Sequence, residues 1–344
     1  MTENKAKVLE TAISRLPRIS LASRPTPLEA MQRLSQELGG PPLYIKRDDL
    51  TGLAMGGNKT RMLEFNMAEA LEKGAEVVVF SAAVQSNYAR QMAAACAKLG
   101  LELRLLLRPE KEGDREGDQG NHLLHRLFGA KVTILEDNDI TKKPALIAAE
   151  VARVEAEGRR PYVPRGDHVI DLDAIAYAEV ALEIVKQTRD LGIGTLYMTG
   201  LSTTQAGLVL GLRFLESPIR VQGICPFSNM PQRFAEMARI ANQAARRLDL
   251  DIKMRESDYE NDDSFVGERY GIPTAAGIKA IRTVARCEGI FLDPVYTGKG
   301  MSGLFAHIRE GRLSNDSPVL FLHTGGEPAL FAYAEDLVRD QIGV

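Results

Sequence analysis

The sequence lacks three features that would place it in a specialised class of protein. Its 43 Lys and Arg residues are balanced by 46 Asp and Glu residues, so it has no positive excess with which to neutralise the phosphates of a nucleic acid. No run approaches the roughly 20 apolar residues that span a bilayer, and Met1–Lys7 is too polar for a secretory signal. Its three widely spaced cysteines form no disulfide framework. We therefore expect a cytoplasmic protein that binds neither nucleic acid nor membrane.

The pattern that is present is typical of an α/β protein. The 344 residues, 44% of them apolar and 26% charged, exceed what one core usually holds. Short β-branched or leucine-rich runs alternate with longer amphipathic segments, which predicts an open, mostly parallel sheet covered by helices. The predicted strands are Val77–Phe80, Leu103–Leu107, Val132–Leu135, Thr195–Met198, Val221–Cys225, Ile290–Leu292 and Val319–Leu322. The predicted helices are Arg61–Lys73, Asn87–Leu99, Asn121–Phe128, Pro144–Ala156, Ala174–Leu191, Ala206–Leu215, Gln232–Leu248, Thr274–Glu288 and Gly303–Glu310.

Loops that combine glycine with polar side chains lie around these strands. The five loops are Gly52–Arg61, Ser81–Arg90, Thr199–Gly207, Asp293–Gly300 and His323–Gly326. Four of them directly follow a predicted strand. Because open parallel sheets bind ligands at the carboxyl ends of their strands, these loops predict a shared ligand site.

The first loop places Lys59 after two glycines. Gly56 and Gly57 allow a tight turn, and Asn58 can cap a helix whose first turn contains Lys59. A cation at the positive end of a helix is disfavoured, so the pKa of Lys59 should be lowered, as covalent chemistry by an amine requires. A solvent-facing lysine after a glycine turn explains this segment equally well.

Two further loops offer groups that bind anions. Ser86 or Asn87 can cap the next helix, and the backbone N–H groups there can bind a carboxylate or a phenolate oxygen; simple capping is the alternative. The turn from Gly200 to Thr204 contains three consecutive hydroxyl residues before a helix, which suits a phosphate. It has neither the P-loop signature nor the dinucleotide-binding fingerprint.

No metal site is predicted. His122 and His125 are three residues apart on a predicted helix, but no third ligand accompanies them, so we expect a solvent-exposed helix face. The acidic segment Ser257–Asp263 lacks the spacing of an EF-hand loop. Asp167 and His168 lie in a loop, where a functional role stays open.

Taken together, the motifs resemble the pyridoxal-phosphate enzymes that include D-cysteine desulfhydrase, L-cysteate sulfo-lyase and 1-aminocyclopropane-1-carboxylate (ACC) deaminase. This group has the fold-type II, tryptophan synthase β-like architecture. The resemblance extends from near residue 21 to near residue 333. Its matching segments are Pro25–Leu28, Ile45–Asp49, Gly56–Arg61, Gln85–Asn87, Gly120–Asn121, Tyr270–Pro273, Asp293–Tyr296 and His323–Gly326.

The resemblance implies a pyridoxal 5'-phosphate cofactor and a role for each matching residue. Lys59 resembles the lysine that binds the cofactor covalently and later moves the Cα proton. Asn87 is similar to the residue that holds the phenolic oxygen, and Ser86 to one that meets the substrate carboxylate. The phosphate would be bound by the turn formed by Gly200, Leu201, Ser202, Thr203 and Thr204.

Other positions indicate a branch of the family. Tyr270 and Tyr296 match tyrosines near the substrate amine and Cβ, and Thr324 lies where the family approaches the pyridine ring. ACC deaminases carry Glu and Leu at the positions of Thr297 and Thr324, so this chain follows the desulfhydrase-like pattern. A carboxylate beside the pyridine nitrogen deepens the electron sink that ring opening needs; a β-elimination, whose leaving group accepts the electrons, needs less.

The chain departs from its relatives at three places around the expected substrate pocket. The phosphate turn has lost two glycines, and Tyr88 replaces a histidine found in many relatives. The segment Arg165-Gly166-Asp167-His168 replaces a sequence rich in glycine and serine. We expect Tyr88, Gly166 and His168 to contact the substrate, and the departures are consistent with an unusual one.

These observations predict an enzyme that eliminates a β-substituent from a small amino acid such as D-cysteine, L-cysteate or 3-chloroalanine, releasing pyruvate and ammonia. ACC deamination on the same fold is one alternative, and a non-catalytic binding protein is another. We expect two three-layer domains: a large one formed by residues 1–57 and 164–344, and a small one, residues 58–163, inserted in it. The resemblance also implies a homodimer.

Overall fold

The computed structural model describes residues 3–111, 113–114, 117–136, 139–228 and 230–338, which form two sheets flanked by helices. The strands are β1 (Leu28–Ala30), β2 (Leu43–Arg47), β3 (Val77–Ala83), β4 (Glu102–Arg108), β5 (Lys131–Ile134), β6 (Pro161–Tyr162), β7 (Thr195–Thr199), β8 (Arg220–Ile224), β9 (Glu260–Asp262) and β10 (Val319–His323). The helices are α1 (Glu3–Ser14), α2 (Gln32–Leu38), α3 (Lys59–Glu72), α4 (Asn87–Leu99), α5 (Asn121–Leu127), α6 (Lys143–Ala156), α7 (Ile170–Gln187), α8 (Thr203–Phe214), α9 (Met230–Arg247), α10 (Ala275–Glu288), α11 (Thr297–Arg309) and α12 (Ala334–Val338).

The larger sheet has the strand order β1-β2-β10-β7-β8-β9, and the smaller has the order β5-β4-β3-β6. Every neighbouring pair is parallel except β1 and β2. Long parallel strands such as β3 are buried at every residue, as expected where helices cover both faces. The predicted α/β class with mostly parallel sheets is confirmed.

The helices form layers on the faces of both sheets. In the larger sheet, α2, α10 and α11 bury one apolar cluster, and α7, α8 and α9 pack on the opposite face. In the smaller sheet, α6 covers one face and α4 the other. A continuous cluster of buried apolar side chains extends from the smaller sheet through α7 to the larger sheet, so the two sheets are held together by a common core.

The predicted strand Ile290–Leu292 is wrong. Gly289 ends α10 in a left-handed conformation (φ 67°), and the three residues after it pair with no described strand. Their backbone bonds elsewhere, since the Phe291 carbonyl accepts a hydrogen bond from His323 Nε2 at 2.7 Å. Helix α11 also begins at Thr297, six residues before its predicted start.

The solvent-exposed face predicted for α5 is also wrong. His122 is 1% exposed and His125 is fully buried, because α5 packs against α4. Burial lowers the pKa of His125 to about 3, so the residue is neutral.

Candidate active site

A cavity of about 430 Å³ lies where the carboxyl ends of strands from both sheets meet. Strands β3 and β4 of the smaller sheet end there, as do β7 and β10 of the larger sheet. It is the position at which open α/β sheets bind ligands. The lining includes these predicted site residues: Lys59, Ser86, Asn87, Tyr88, Gly200, Leu201, Ser202, Thr203, Thr204, Tyr296 and Thr324.

The loop before Lys59 requires its glycines. Gly56 (φ 71°) and Gly57 (φ 119°) adopt conformations that L-residues avoid. A Cβ on Gly56 would lie 1.6 Å from the Asp49 carbonyl oxygen, and one on Gly57 would lie 2.5 Å from Gln91 Nε2. Only glycine lets the loop approach α4 this closely and present Lys59 to the cavity.

The Lys59 amine is the most perturbed cation in the site. Burial, followed by the charge of Arg165, lowers its pKa from the usual 10.5 to about 7, against the opposite effect of Asp173. The direction agrees with the sequence prediction, but burial and a neighbouring cation are the causes. Asn58 does not cap α3 with its side chain; its Nδ2 donates to Thr204 Oγ1 at 3.1 Å, tying this loop to the next.

Ser86 caps α4, which is one of the two roles predicted for this loop. Its hydroxyl accepts a hydrogen bond from the Ala89 N–H at 3.2 Å. Asn87 Oδ1 accepts from Asn121 Nδ2 at 2.9 Å. Among the described residues, Asn87 Nδ2 donates to no protein acceptor, so it is available to a ligand oxygen in the cavity.

The turn from Gly200 to Thr204 leads into α8 and presents a row of backbone donors. Among the described residues, none of the N–H groups from Leu201 to Gln205 donates to another protein group. Free N–H groups at a helix N-terminus bind anions. The lost glycines of this turn have therefore not removed its capacity to bind a phosphate.

Tyr296 lines the cavity, and Tyr270 lies behind it. Their hydroxyl oxygens are 2.6 Å apart. Burial raises the pKa of Tyr296 to about 12, although the hydrogen bond with Tyr270 acts in the opposite direction. The pair is protonated at neutral pH and shares one hydrogen bond facing the cavity.

Two predicted cofactor residues from neighbouring loops are placed differently. Thr324 lines the cavity, and its carbonyl accepts a hydrogen bond from the Asn58 N–H at 3.0 Å. Thr297 lies outside the lining, where its hydroxyl donates to Asp293 Oδ1 at 2.8 Å. The Asp293 carboxylate also accepts from the first N–H groups of α11, so Thr297 is part of a helix cap.

The segment after β6 contributes an arginine that sequence reasoning did not select. Gly166 and His168 do not line the cavity, and His168 is exposed. Arg165 lines it instead: its Nε lies 2.9 Å from Asp173 Oδ2, and its guanidinium lies 4.9 Å from the centre of the Tyr88 ring. Two positions at which the chain departs from its relatives thus contact each other.

Two further cations in the lining were also missed by sequence reasoning. Arg108 is the last residue of β4, and Lys143 is the first residue of α6. Burial, then the charges of Arg165 and Arg108, lower the pKa of Lys143 to about 8. Arg108 directly follows the predicted strand Leu103–Leu107, but in sequence neither Arg108 nor Lys143 differs from an ordinary surface charge.

Three side chains of the types that bind metal ions cluster beside the site. Ligand atoms of Asp49, His323 and Glu327 lie within 4.8 Å of one another. However, His323 Nε2 is hydrogen-bonded to the Phe291 carbonyl and Nδ1 accepts from the Gly325 N–H at 3.1 Å. The imidazole is therefore engaged in holding the loop after β10.

Comparisons with known proteins agree with this geometry. Residues 19–325 match the family model described as pyridoxal-phosphate dependent enzyme. A D-cysteine desulfhydrase from Salmonella typhi is 40% identical over 93% of this chain and 97% of its own length. A solved ACC deaminase homologue is 34% identical over 96% of this chain and 98% of its own, with a TM-score of 0.87. A threonine deaminase isoform from Solanum lycopersicum, 16% identical over 98% of this chain and 88% of its own, shares the fold (TM-score 0.65).

No described helix has both the length and the apolar content to cross a membrane. The matched residues make up most of the chain, and they include every loop of the larger sheet that lines the cavity. The chain belongs to the family of pyridoxal-phosphate-dependent enzymes, in agreement with the resemblance that its motifs carry.

Proposed function

We propose that this enzyme is a β-eliminating, deaminating lyase that converts a small β-substituted amino acid to pyruvate and ammonia. The observation that carries the proposal is Lys59, whose amine has a pKa of about 7 and lines the same cavity as the free N–H groups at the start of α8. The D-cysteine desulfhydrase name of the 40% identical relative supports this reaction class. Candidate substrates are D-cysteine, L-cysteate and 3-chloroalanine.

The residues present fit pyridoxal 5'-phosphate. Its aldehyde needs an unprotonated amine, which Lys59 supplies, and its phosphate suits the N–H groups from Leu201 to Thr204. We assign Asn87 Nδ2 as the group that would donate to the phenolic oxygen, and the Thr324 hydroxyl as the group that would meet the pyridine nitrogen. When bound, the cofactor withdraws electrons from the substrate Cα and so acidifies its proton.

Side chains of the protein then accept and hold the protons of the reaction. The Lys59 amine accepts the Cα proton, since a base with a pKa near the working pH is efficient. Electrons from the Cα–H bond form the Cα–Cβ double bond, and the Cβ substituent leaves with its bonding pair. The hydroxyl of Tyr296, hydrogen-bonded to Tyr270, holds a proton beside the leaving group.

Substrate orientation is assigned to the start of α4. Ser86 and Asn87 receive the carboxylate, and Tyr88, whose buried hydroxyl has no protein partner among the described residues, faces the rest of the substrate. Gly166 and His168 act on the site through the position of Arg165, since neither lines the cavity. Thr297 acts through Asp293 on the start of α11.

We further propose the domain boundaries that the sequence predicts, with residues 58–163 as the small domain. Closure of this domain would exclude water from the cavity during the reaction. Assembly as a homodimer in the cytoplasm is proposed from the family resemblance.

The test is a substrate screen of the cofactor-loaded enzyme. Both enantiomers of cysteine, cysteate and 3-chloroalanine are compared with ACC, and the keto acid is identified. We expect pyruvate from at least one β-substituted alanine. Turnover of ACC alone, with release of 2-oxobutanoate, would establish the ACC deaminase alternative, for which the structural likeness to an ACC deaminase homologue is the argument.

A further inference from the structure

Arg108 is a buried cation whose one ion pair among the described residues, with Glu110, is too long to be a hydrogen bond. It is 8% exposed, and neither Nε nor Nη1 has a hydrogen-bond partner among the described residues. The nearest carboxylate oxygen, Glu110 Oε1, is 3.8 Å from Nη2, beyond hydrogen-bond range. Burying a guanidinium in this state is costly, so a ligand group that accepts its hydrogen bonds would recover much of that free energy.

Lys143 is half-buried and lines the same cavity as Arg108. Among the described residues it forms no ion pair, and its ammonium lies 5.4 Å from the centre of the Phe80 ring. The charges of Arg108 and Arg165 are close enough to disfavour its own. Because Glu110 is the one carboxylate within 4 Å of either cation among the described residues, the two give their part of the cavity a positive potential.

The other charged groups of the lining do not neutralise this pair. Arg165 is matched by Asp173 at 2.9 Å, and Arg233 is matched by Glu236 at 2.8 Å. Glu236 is the sole carboxylate among the described lining residues. Apart from the long ion pair between Arg108 and Glu110, the charges of Arg108, at the end of β4, and Lys143, at the start of α6, have no carboxylate partner among the described residues.

The cofactor phosphate does not require these cations. It is accounted for by the N–H groups of α8, which belong to the larger sheet, whereas Arg108 and Lys143 come from the smaller sheet and its helix. Ser86 and Asn87, proposed above for the substrate carboxylate, come from the same smaller sheet. The pair is therefore on the substrate side of the cavity.

We propose that Arg108 and Lys143 form a subsite for a second anionic group of the substrate, so that the preferred substrates are amino acids with a negatively charged side chain. This inference rests on the proposed function for its reaction. With cysteate, the Cα proton passes to Lys59, and sulfite leaves with both electrons of the Cβ–S bond. Water supplies the oxygen of pyruvate when ammonia is released. The two cations hold the sulfonate before the bond breaks and the sulfite afterwards.

Binding can be tested without turnover, using a matched pair of ligands. Aspartate and asparagine have almost the same shape and differ in side-chain charge. Both enantiomers are titrated into the cofactor-loaded enzyme, and Kd is read from the visible absorption of the cofactor. We expect aspartate to bind at least tenfold more tightly than asparagine, and Arg108→Met and Lys143→Met each to reduce this ratio at least fivefold.

Three controls separate the subsite from other roles. Lys142→Met removes the adjacent, exposed lysine and should leave both Kd values within about twofold. Arg108→Lys keeps the charge and should retain most of the preference for aspartate. The cofactor Kd of Arg108→Met should stay within threefold of that of the unmodified protein.

Each remaining outcome counts against a defined claim. The subsite is overturned if aspartate and asparagine bind with equal affinity, or if neither enantiomer of aspartate binds. It is also overturned if the variants lose affinity for aspartate and asparagine by the same factor. A large rise in the cofactor Kd of Arg108→Met also overturns it, because the cations would then serve the phosphate. If the preference for aspartate holds but no β-substituted alanine yields pyruvate, the subsite stands and the proposed reaction fails.

Discussion

Two regions of this protein bury positive charge in opposite ways. Behind the site, Lys46 and Arg61 belong to a buried network that also contains Thr26, Asp48, Tyr177, Glu183 and Gln187. Arg61 bonds Asp48 at 2.8 Å and Glu183 at 2.9 Å, and Lys46 bonds the Thr26 carbonyl at 2.7 Å. In the cavity, the cations Lys59, Arg108 and Lys143 form no hydrogen bond with a carboxylate among the described residues; the nearest carboxylate oxygen to Arg108, from Glu110, is 3.8 Å away.

The pKa values of Arg61 and Lys59 differ in direction, although burial also lowers the pKa of Lys46 despite its carboxylate partners. Burial alone would lower the pKa of Arg61, but Asp48 and Glu183 raise it above its ordinary value. The pKa of Lys59 is lowered to about 7 because burial is reinforced by Arg165. Lys46 and Arg61 thus have carboxylate partners within the protein, whereas Lys59, Arg108 and Lys143 can take such hydrogen bonds from a ligand.

Removing one cation from each region should sharpen this comparison most. Arg61→Met leaves the Asp48 and Glu183 carboxylates buried with too few partners, and should lower the free energy of unfolding by about 3–5 kcal/mol. Arg108→Met removes a charge whose one ion pair among the described residues is the long one with Glu110, and should change the free energy of unfolding by less than about 1 kcal/mol, or raise it. Urea unfolding of the apoprotein measures both; a larger loss for Arg108→Met would break the comparison.

The pH dependence of cofactor attachment gives the next effect. Only the unprotonated Lys59 amine reacts, so the attachment rate should fall about tenfold per pH unit below pH 7 and level off above it. A lysine with the ordinary pKa would give a rate that still rises through pH 9. Stopped-flow absorbance of apoprotein mixed with cofactor distinguishes the two, and Lys143→Met should retain the inflection near pH 7.

Two hydroxyl residues give the smallest predicted effects. Ser202→Ala removes a hydroxyl in the phosphate turn and should raise the cofactor Kd about tenfold, the weight of one hydrogen bond to a charged group. Thr26→Ala removes the donor to Asp48, 2.7 Å away. It should lower the free energy of unfolding by about 1.5–3 kcal/mol while leaving the cofactor Kd unchanged. If both variants changed the cofactor Kd and the free energy of unfolding in the same way, the two regions would not be separate.

The sequence located the site because glycine and hydroxyl residues after buried strands are distinctive. It did not reveal β2, since Lys46 and Arg47 interrupt its apolar run although Lys46 is fully buried in the network. The start of α11 was misread because Gly298 and Gly300 resemble loop residues. In the structure they are helical positions where a Cβ would lie 2.8 Å from the Asp293 carbonyl oxygen and 2.0 Å from Thr199 Oγ1.

The cavity cations were missed for a related reason. In sequence, Arg108 and Lys143 look like ordinary surface charges, because the absence of a partner is a property of the folded chain. Arg165 lies in a segment that departs from the family pattern, but only its left-handed backbone (φ 61°) and the contact with Tyr88 show that it, and not Gly166 or His168, lines the cavity.

The central claim is that Lys59 is the covalent partner of the cofactor. The direct measurement is borohydride reduction of the purified, cofactor-loaded enzyme, followed by proteolysis and mass spectrometry of the labelled peptide. The account predicts loss of the visible absorption band and one modified residue, Lys59, with no label in Lys59→Ala. Label on another lysine, or a protein that takes up no pyridoxal phosphate, would contradict it.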